Sequence, residues 1–219
     1  MKTTGSLFFR KMVYKQKYRQ VCMFLKKKLY IWCMKKLGVR ERIIDTASDL
    51  FYNQGYNQTG INQIISEAGV AKASMYQHFR SKEDIAVAYL VKRHGMWIGK
   101  LNECVSKHNA PKKKVIGCFD YLMEWLIEVD FRGCGWQNIV VDLPEDHQKI
   151  QDQAVYHKNE LRNWIHDLLK RESQYSDREA EQTGDEILVL IEGAIILSQI
   201  QRDSWPIKSA KKACKKILQ

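Results

Sequence analysis

The chain has 219 residues, 45% of them hydrophobic, with 3 prolines and 12 glycines, which suits one large domain or two that share helices. No run approaches the ~18 apolar residues of a membrane helix, and no stretch alternates like a half-buried strand. The net charge is +11, but residues 1–38 hold eleven Lys/Arg and no acid, leaving 25 bases against 25 acids in 39–219. Any nucleic-acid affinity of that neutral remainder must come from locally placed charge.

Residues 1–33 mix Phe, Tyr, Trp and Lys without acids, caps or a steady helical period. They read as a basic extension outside the fold, with Met34 as the expected start; a phosphate-gripping arm and an amphipathic membrane-surface helix are the alternatives. No apolar signal region with a cleavage site is present. The six cysteines (22, 33, 104, 118, 134, 214) form no CxxC pair and no zinc spacing, so no metal or cofactor is expected, and reduced thiols point to a cytoplasmic protein.

"RERIIDTASDLFYNQG" sets Ile43, Ile44, Ala47, Leu50 and Phe51 on one helical stripe, closed by Gly55 as a left-handed cap. A second helix follows Thr59-Gly60 and buries Ile61, Ile64, Ile65 and Ala68. Gly69 permits a sharp turn, and a short third helix buries Val70, Met75 and Phe79. Ser81 with Asp84 caps a long fourth helix through "EDIAVAYLVKRHGMWIGKL". With Met75 and Phe79 inward, Lys72, Ala73, Tyr76 and Gln77 face outward, joined by Ser74 and His78.

Two short helices about a glycine turn make a helix-turn-helix, whose second helix can enter a major groove. No acid lies between Glu67 and Glu83. Gln77 can pair with adenine and Tyr76 and His78 can donate to phosphates, while Lys82 adds charge. Periodicity alone fits an ordinary three-helix bundle with a polar face equally well.

The order of residues goes further. "TGINQIISEAGVAKASMYQHFRSKED" resembles the TetR family of bacterial transcriptional regulators over roughly residues 40–85. The matching positions are Thr59, Ile64, Ala68-Gly69-Val70, Lys72, Met75-Tyr76, His78-Phe79 and Ser81-Lys82-Glu83. The resemblance implies an all-α protein. A DNA-binding head (34–85) carries the helix-turn-helix, and a helical body (86–219) binds a small-molecule effector and forms a homodimer. Thr59, Lys72, Ala73, Ser74, Tyr76, Gln77, His78 and Lys82 become the expected contacts to double-stranded operator DNA. Gly60 and Ala71 depart from the family's usual hydroxyl caps, and the lost cap at Ala71 costs about 1 kcal/mol of local helix stability.

In the body, Pro111 ends a break and "VIGCFDYLMEWLIEV" resumes helical periodicity. A glycine-rich turn is expected over 130–138 and a second break at Pro144. An amphipathic helix fits 146–172, with Ala154, Leu161, Ile165, Leu168 and Leu169 inward, and an apolar helix fits 185–203. "LIEGAIILSQIQRD" resembles the segment before the last in this family. That resemblance implies a dimer interface of Leu161, Ile165, Leu190, Gly193, Ala194 and Leu197. The aromatic inventory between 96 and 140 marks Trp97, Phe119, Met123, Trp125 and Trp136 as expected effector contacts.

Two other classes stay in view. Cys134 with His147 would be the nucleophile and base of an enzyme, without a motif or an orienting acid to support them. Cys104, Cys118 or Cys134 would gate DNA binding by oxidation, given a lowered pKa. His94, His108 and His157 read as too scattered for a metal.

Overall fold

The computed structural model describes residues 37–143 and 146–219; the expectations for residues 1–33 and Pro144 lie outside them. Among the described residues every regular element is a helix, and none is long and apolar enough to cross a membrane.

The stripe of Ile43, Ile44, Ala47, Leu50 and Phe51 is the buried side of α1 (Val39–Gln54). Gly55 closes it at φ 99° and ψ 158°, outside the expected left-handed helical conformation, and its N–H donates to the Phe51 carbonyl at 3.2 Å. The helices α2 (Ile61–Ala68) and α3 (Lys72–His78) pack beneath it through Ile64, Ala68 and Met75. Ile61, Ile65 and Val70, expected inside, are half-buried at the rim of this core.

α4 (Lys82–Val105) opens on Ser81, whose Oγ accepts the Asp84 N–H at 3.1 Å. Its 24 residues span about 36 Å and run from the head into the body, packing on α1 at one end. α5 (Pro111–Glu128) begins on its proline, where a missing N–H costs nothing. α6 (Gly135–Val140) occupies ground expected to be loop, so the glycine-rich turn is confined to 130–134.

α7 (Gln148–Leu169) turns the expected residues inward. α8 (Asp177–Gln201) starts eight residues earlier than its apolar run suggests. A capping box at Ser176 and Glu179 begins it, the hydroxyl taking the Glu179 N–H and the carboxylate taking the Ser176 N–H. α9 (Trp205–Ile217), the segment after it, buries Ile207, Ala210 and Cys214 at helical spacing against α8 and α5. One continuous core runs from Ile43 and Met75 in the head to Leu122, Ile165 and Ile191 in the body.

Candidate nucleic-acid interface

The turn between α2 and α3 is set by its backbone. Gly69 adopts φ 60° and ψ 44°, its N–H donates to Ser66 and the Val70 N–H reaches back to Ile65, both at 3.2 Å. That is a Schellman ending, and its left-handed residue has no side chain to strain. Arg42 donates from Nη1 to the Gly69 carbonyl at 3.3 Å and ties the turn to α1.

α3 follows without a side-chain cap, since Ala71 has no hydroxyl. It is held from below by Met75, fully buried, and by Phe79 just beyond its end. Lys72, Ala73, Tyr76, Gln77 and His78 stand exposed on the other side, and Ser74 is half-buried. No acid lies on this face. Arg80 is exposed just beyond it, and the Arg40 guanidinium covers the Phe79 ring at 5.4 Å. Lys149 of α7 donates to Asp84 at 2.9 Å, which holds that carboxyl below its ordinary pKa beside the interface.

Two expected DNA contacts take other work. Thr59 is fully buried, and its hydroxyl donates to the Gly55 carbonyl at 2.7 Å. Lys82 donates to the Tyr56 and Thr59 carbonyls at 3.0 and 3.2 Å and lies 4.1 Å from the Tyr56 ring centre. Burial lowers its pKa, opposed by the Asp142 charge. Both side chains therefore pin the α1–α2 loop, because the backbone carbonyls there have no helical partners of their own.

The head is also bound to the body. The Tyr52 hydroxyl donates to the Gly133 carbonyl at 2.8 Å, Arg132 Nε donates to the Tyr52 carbonyl at 2.9 Å, and Lys92 pairs with Asp45. Gly133 sits at φ 81° against the Gln199 side chain, so the turn at 130–134 is a fitted joint.

α1, α4 and α5 line an open cavity of 420 Å³. Of the expected effector contacts only Trp97 and Trp125 line it. Phe119 is fully buried core, and Met123 is half-buried elsewhere. Trp136 is stacked on His157, with ring centres 3.5 Å apart and planes 4° from parallel. The aromatic inventory marks all five alike, and only packing distinguishes a wall from a filling.

His94 and His157 are not scattered: their Nδ1 atoms lie 3.0 Å apart. Burial drives the His157 pKa far down. Among the described residues no group of three metal-ligating side chains forms. Cys134 Sγ has the Lys158 ammonium at 3.6 Å, and His147 packs edge-on to Tyr56, so they take separate neighbours. Burial raises the thiol pKa of Cys104, Cys118 and Cys214, the opposite of what an oxidant sensor needs.

The expected dimer residues also divide. Leu161, Ile165 and Ala194 are buried within the chain itself, because α7 and α8 turn them toward each other's core. Leu190 is half-buried, while Gly193 and Leu197 are exposed. Sequence reasoning missed their companions Val189 and Ile200, 71% and 70% exposed, although the spacing 189, 193, 197, 200 traces one helix face.

The profile described as "Bacterial regulatory proteins, tetR family" matches residues 43–89, and "Transcriptional regulator LmrA/YxaF-like, C-terminal domain" matches 111–213. The chain belongs to the TetR family. This TetR-family chain is 25% identical over 172 residues to the transcriptional regulator LmrA of Bacillus subtilis, covering 77% of itself and 90% of that protein. It is 33% identical over 121 residues to the transcriptional repressor NemR of Escherichia coli, 53% of itself and 61% of NemR. The fold matches the TetR-family regulator SCO4454 of Streptomyces coelicolor at TM-score 0.73 and 23% identity, over 82% and 88% of the two chains. It is a DNA-binding transcriptional regulator, related to regulators rather than to enzymes.

Proposed function

We propose that this TetR-family regulator is a cytoplasmic repressor that binds a palindromic operator as a homodimer and is released by a small molecule. Residues 34–85 act as the reading head and 86–219 as the ligand and dimer body. One observation carries the reading: the acid-free face of α3, with Lys72, Ala73, Tyr76, Gln77 and His78 exposed over Met75 and Phe79. Gln77 and Lys72 read base edges, and Tyr76 and His78, with Arg80 beyond them, hold phosphates.

The exposed stripe of Val189, Gly193, Leu197 and Ile200 supports pairing with a second copy, since such a stripe is costly to leave in water. Repression is supported by two relatives, the transcriptional repressor NemR and the negative transcriptional regulator IcaR of Staphylococcus epidermidis. The cavity supports release, because its walls come from both head and body and a ligand can favour one arrangement of the two. Footprinting on the DNA flanking its gene tests this. A protected dyad with half-sites about one helical turn or a multiple apart is expected. Protection of a single half-site, or of none, overturns it.

A second reading is redox gating through Cys134, favoured by the Lys158 ammonium at 3.6 Å from its sulfur. Operator affinity that falls with peroxide and returns with thiol would support it; indifference to both would dismiss it.

A further inference from the structure

α9 carries five lysines in its 13 residues, and from Ser204 to Gln219 no acid offsets them. Residues 39–219 are neutral as a whole, so this is charge gathered in one place. The apolar side of the helix, Ile207, Ala210 and Cys214, is buried against α8 and α5. Lys211, at the edge, pairs with Asp120. Lys208, Lys212, Lys215 and Lys216 stand exposed on the opposite side, within about 100° of arc and about 12 Å along the axis. Among the described residues none of these four pairs with an acid. The start of α5 comes to the same end: Lys112 donates to the Leu218 carbonyl at 2.6 Å, and Lys113 beside it is exposed.

The arrangement works against the helix. Lys208 and Lys212 are four residues apart, as are Lys212 and Lys216, and like charges at that spacing repel. The helix dipole favours Lys215 and Lys216 in the last turn, but Lys208 lies toward the positive end. A face kept positive against that repulsion suits a partner of negative charge. What the face lacks narrows the partner's chemistry. Protein interfaces are built on aromatic anchors and are depleted in lysine. A membrane-surface helix needs an apolar side to insert, and that of α9 is buried in the core. A phosphate backbone needs only spaced cations, and it is bound without regard to sequence.

We infer that α9 holds a second DNA duplex by its phosphates, apart from the reading face on α3. The protein then joins two DNA segments, one read by α3 and one gripped by Lys208, Lys212, Lys215 and Lys216.

A capture assay on the full chain tests it. A surface-bound duplex carrying the DNA that flanks the gene is saturated with protein and washed, and a fluorescent duplex of unrelated sequence is added. The wild type should retain the second duplex, about a hundredfold less tightly at about 200 mM salt than at about 50 mM, as four phosphate contacts require. The combined variant K208Q, K212Q, K215Q and K216Q keeps good helix formers in place. It should lower retention about tenfold or more and leave the first duplex bound within about twofold. Circular dichroism checks that it remains helical; K208Q with K212Q alone should still weaken retention about fivefold. No retention by the wild type, or equal retention by the folded variants, overturns the inference. So does a variant that loses both duplexes in step, since the lysines would then serve the α3 interface. Tighter capture of phosphatidylserine vesicles or of polyglutamate than of the duplex overturns it too. A surface that holds no protein counts against α3 alone, and the unrelated duplex titrated directly onto wild type and variant then decides α9.

Discussion

The outer faces of α3 and α8 are both exposed helix surfaces over a well-packed underside, and they are made of opposite material. α3 turns Lys72, Tyr76, Gln77 and His78 to solvent above Met75; α8 turns Val189, Leu197 and Ile200 to solvent above Ile191 and Ile195. The first is polar and carries no acid, which suits a polyanion. The second is apolar, which suits another copy of itself. Exposure alone does not say what a helix face is for; its chemistry does.

The largest expected effect breaks the comparison at α8. Leu197→Glu, at a position 43% exposed, should leave the fold helical yet give monomers in sedimentation, with operator affinity down about 10²–10⁴-fold as the two half-sites lose their linkage. Ala194→Glu should instead unfold the chain, since that side is only 4% exposed. A Leu197→Glu dimer would show that the apolar face has another use.

Beneath α3, Met75→Ala should cost about 2–5 kcal/mol in chemical denaturation and weaken binding to every DNA sequence alike. The outer side should respond differently. Gln77→Ala should leave stability unchanged and relax preference at one base position per half-site by about 1–3 kcal/mol.

The body holds a buried histidine whose titration bears on stability. Burial holds the His157 pKa far below its model-peptide range, so the unfolded chain takes up a proton that the folded one refuses. Stability from this group is present above the unfolded value and lost as pH falls, by about 2 kcal/mol between pH 7 and 5. Thermal melts across that window should show it, and His157→Phe, still able to lie on Trp136, should flatten it.

The smallest effect concerns Lys82. Its alanine variant should lose about 1 kcal/mol of stability through the Tyr56 and Thr59 carbonyls. The salt slope of DNA binding should stay as it was; a slope flattened by one charge would return Lys82 to the phosphate backbone.

Much of the head was legible because its signals are local. The Ile43-to-Phe51 stripe, the glycine turn at 69 and the Ser81 cap are fixed by spacing and backbone preference, and the structure has them where the residues put them. The start of α8 has a local sign too, the capping box of Ser176 and Glu179, which lies before the apolar run that marks the rest of the helix. Other features had no local sign. Thr59 and Lys82 look like surface donors until the loop carbonyls they serve are folded beside them.

By itself, then, the chain determined its helices, its glycine turn and the outward set on α3, because each depends on residues within one or two turns of one another. Tertiary structure decided which apolar residues fill the core and which line a cavity, and which side of α8 stays open. It also brought Arg93 to Tyr52 and His94 to His157. Those outcomes depend on contacts between different helices, and helical period says only that a side chain points inward, never what it will meet there.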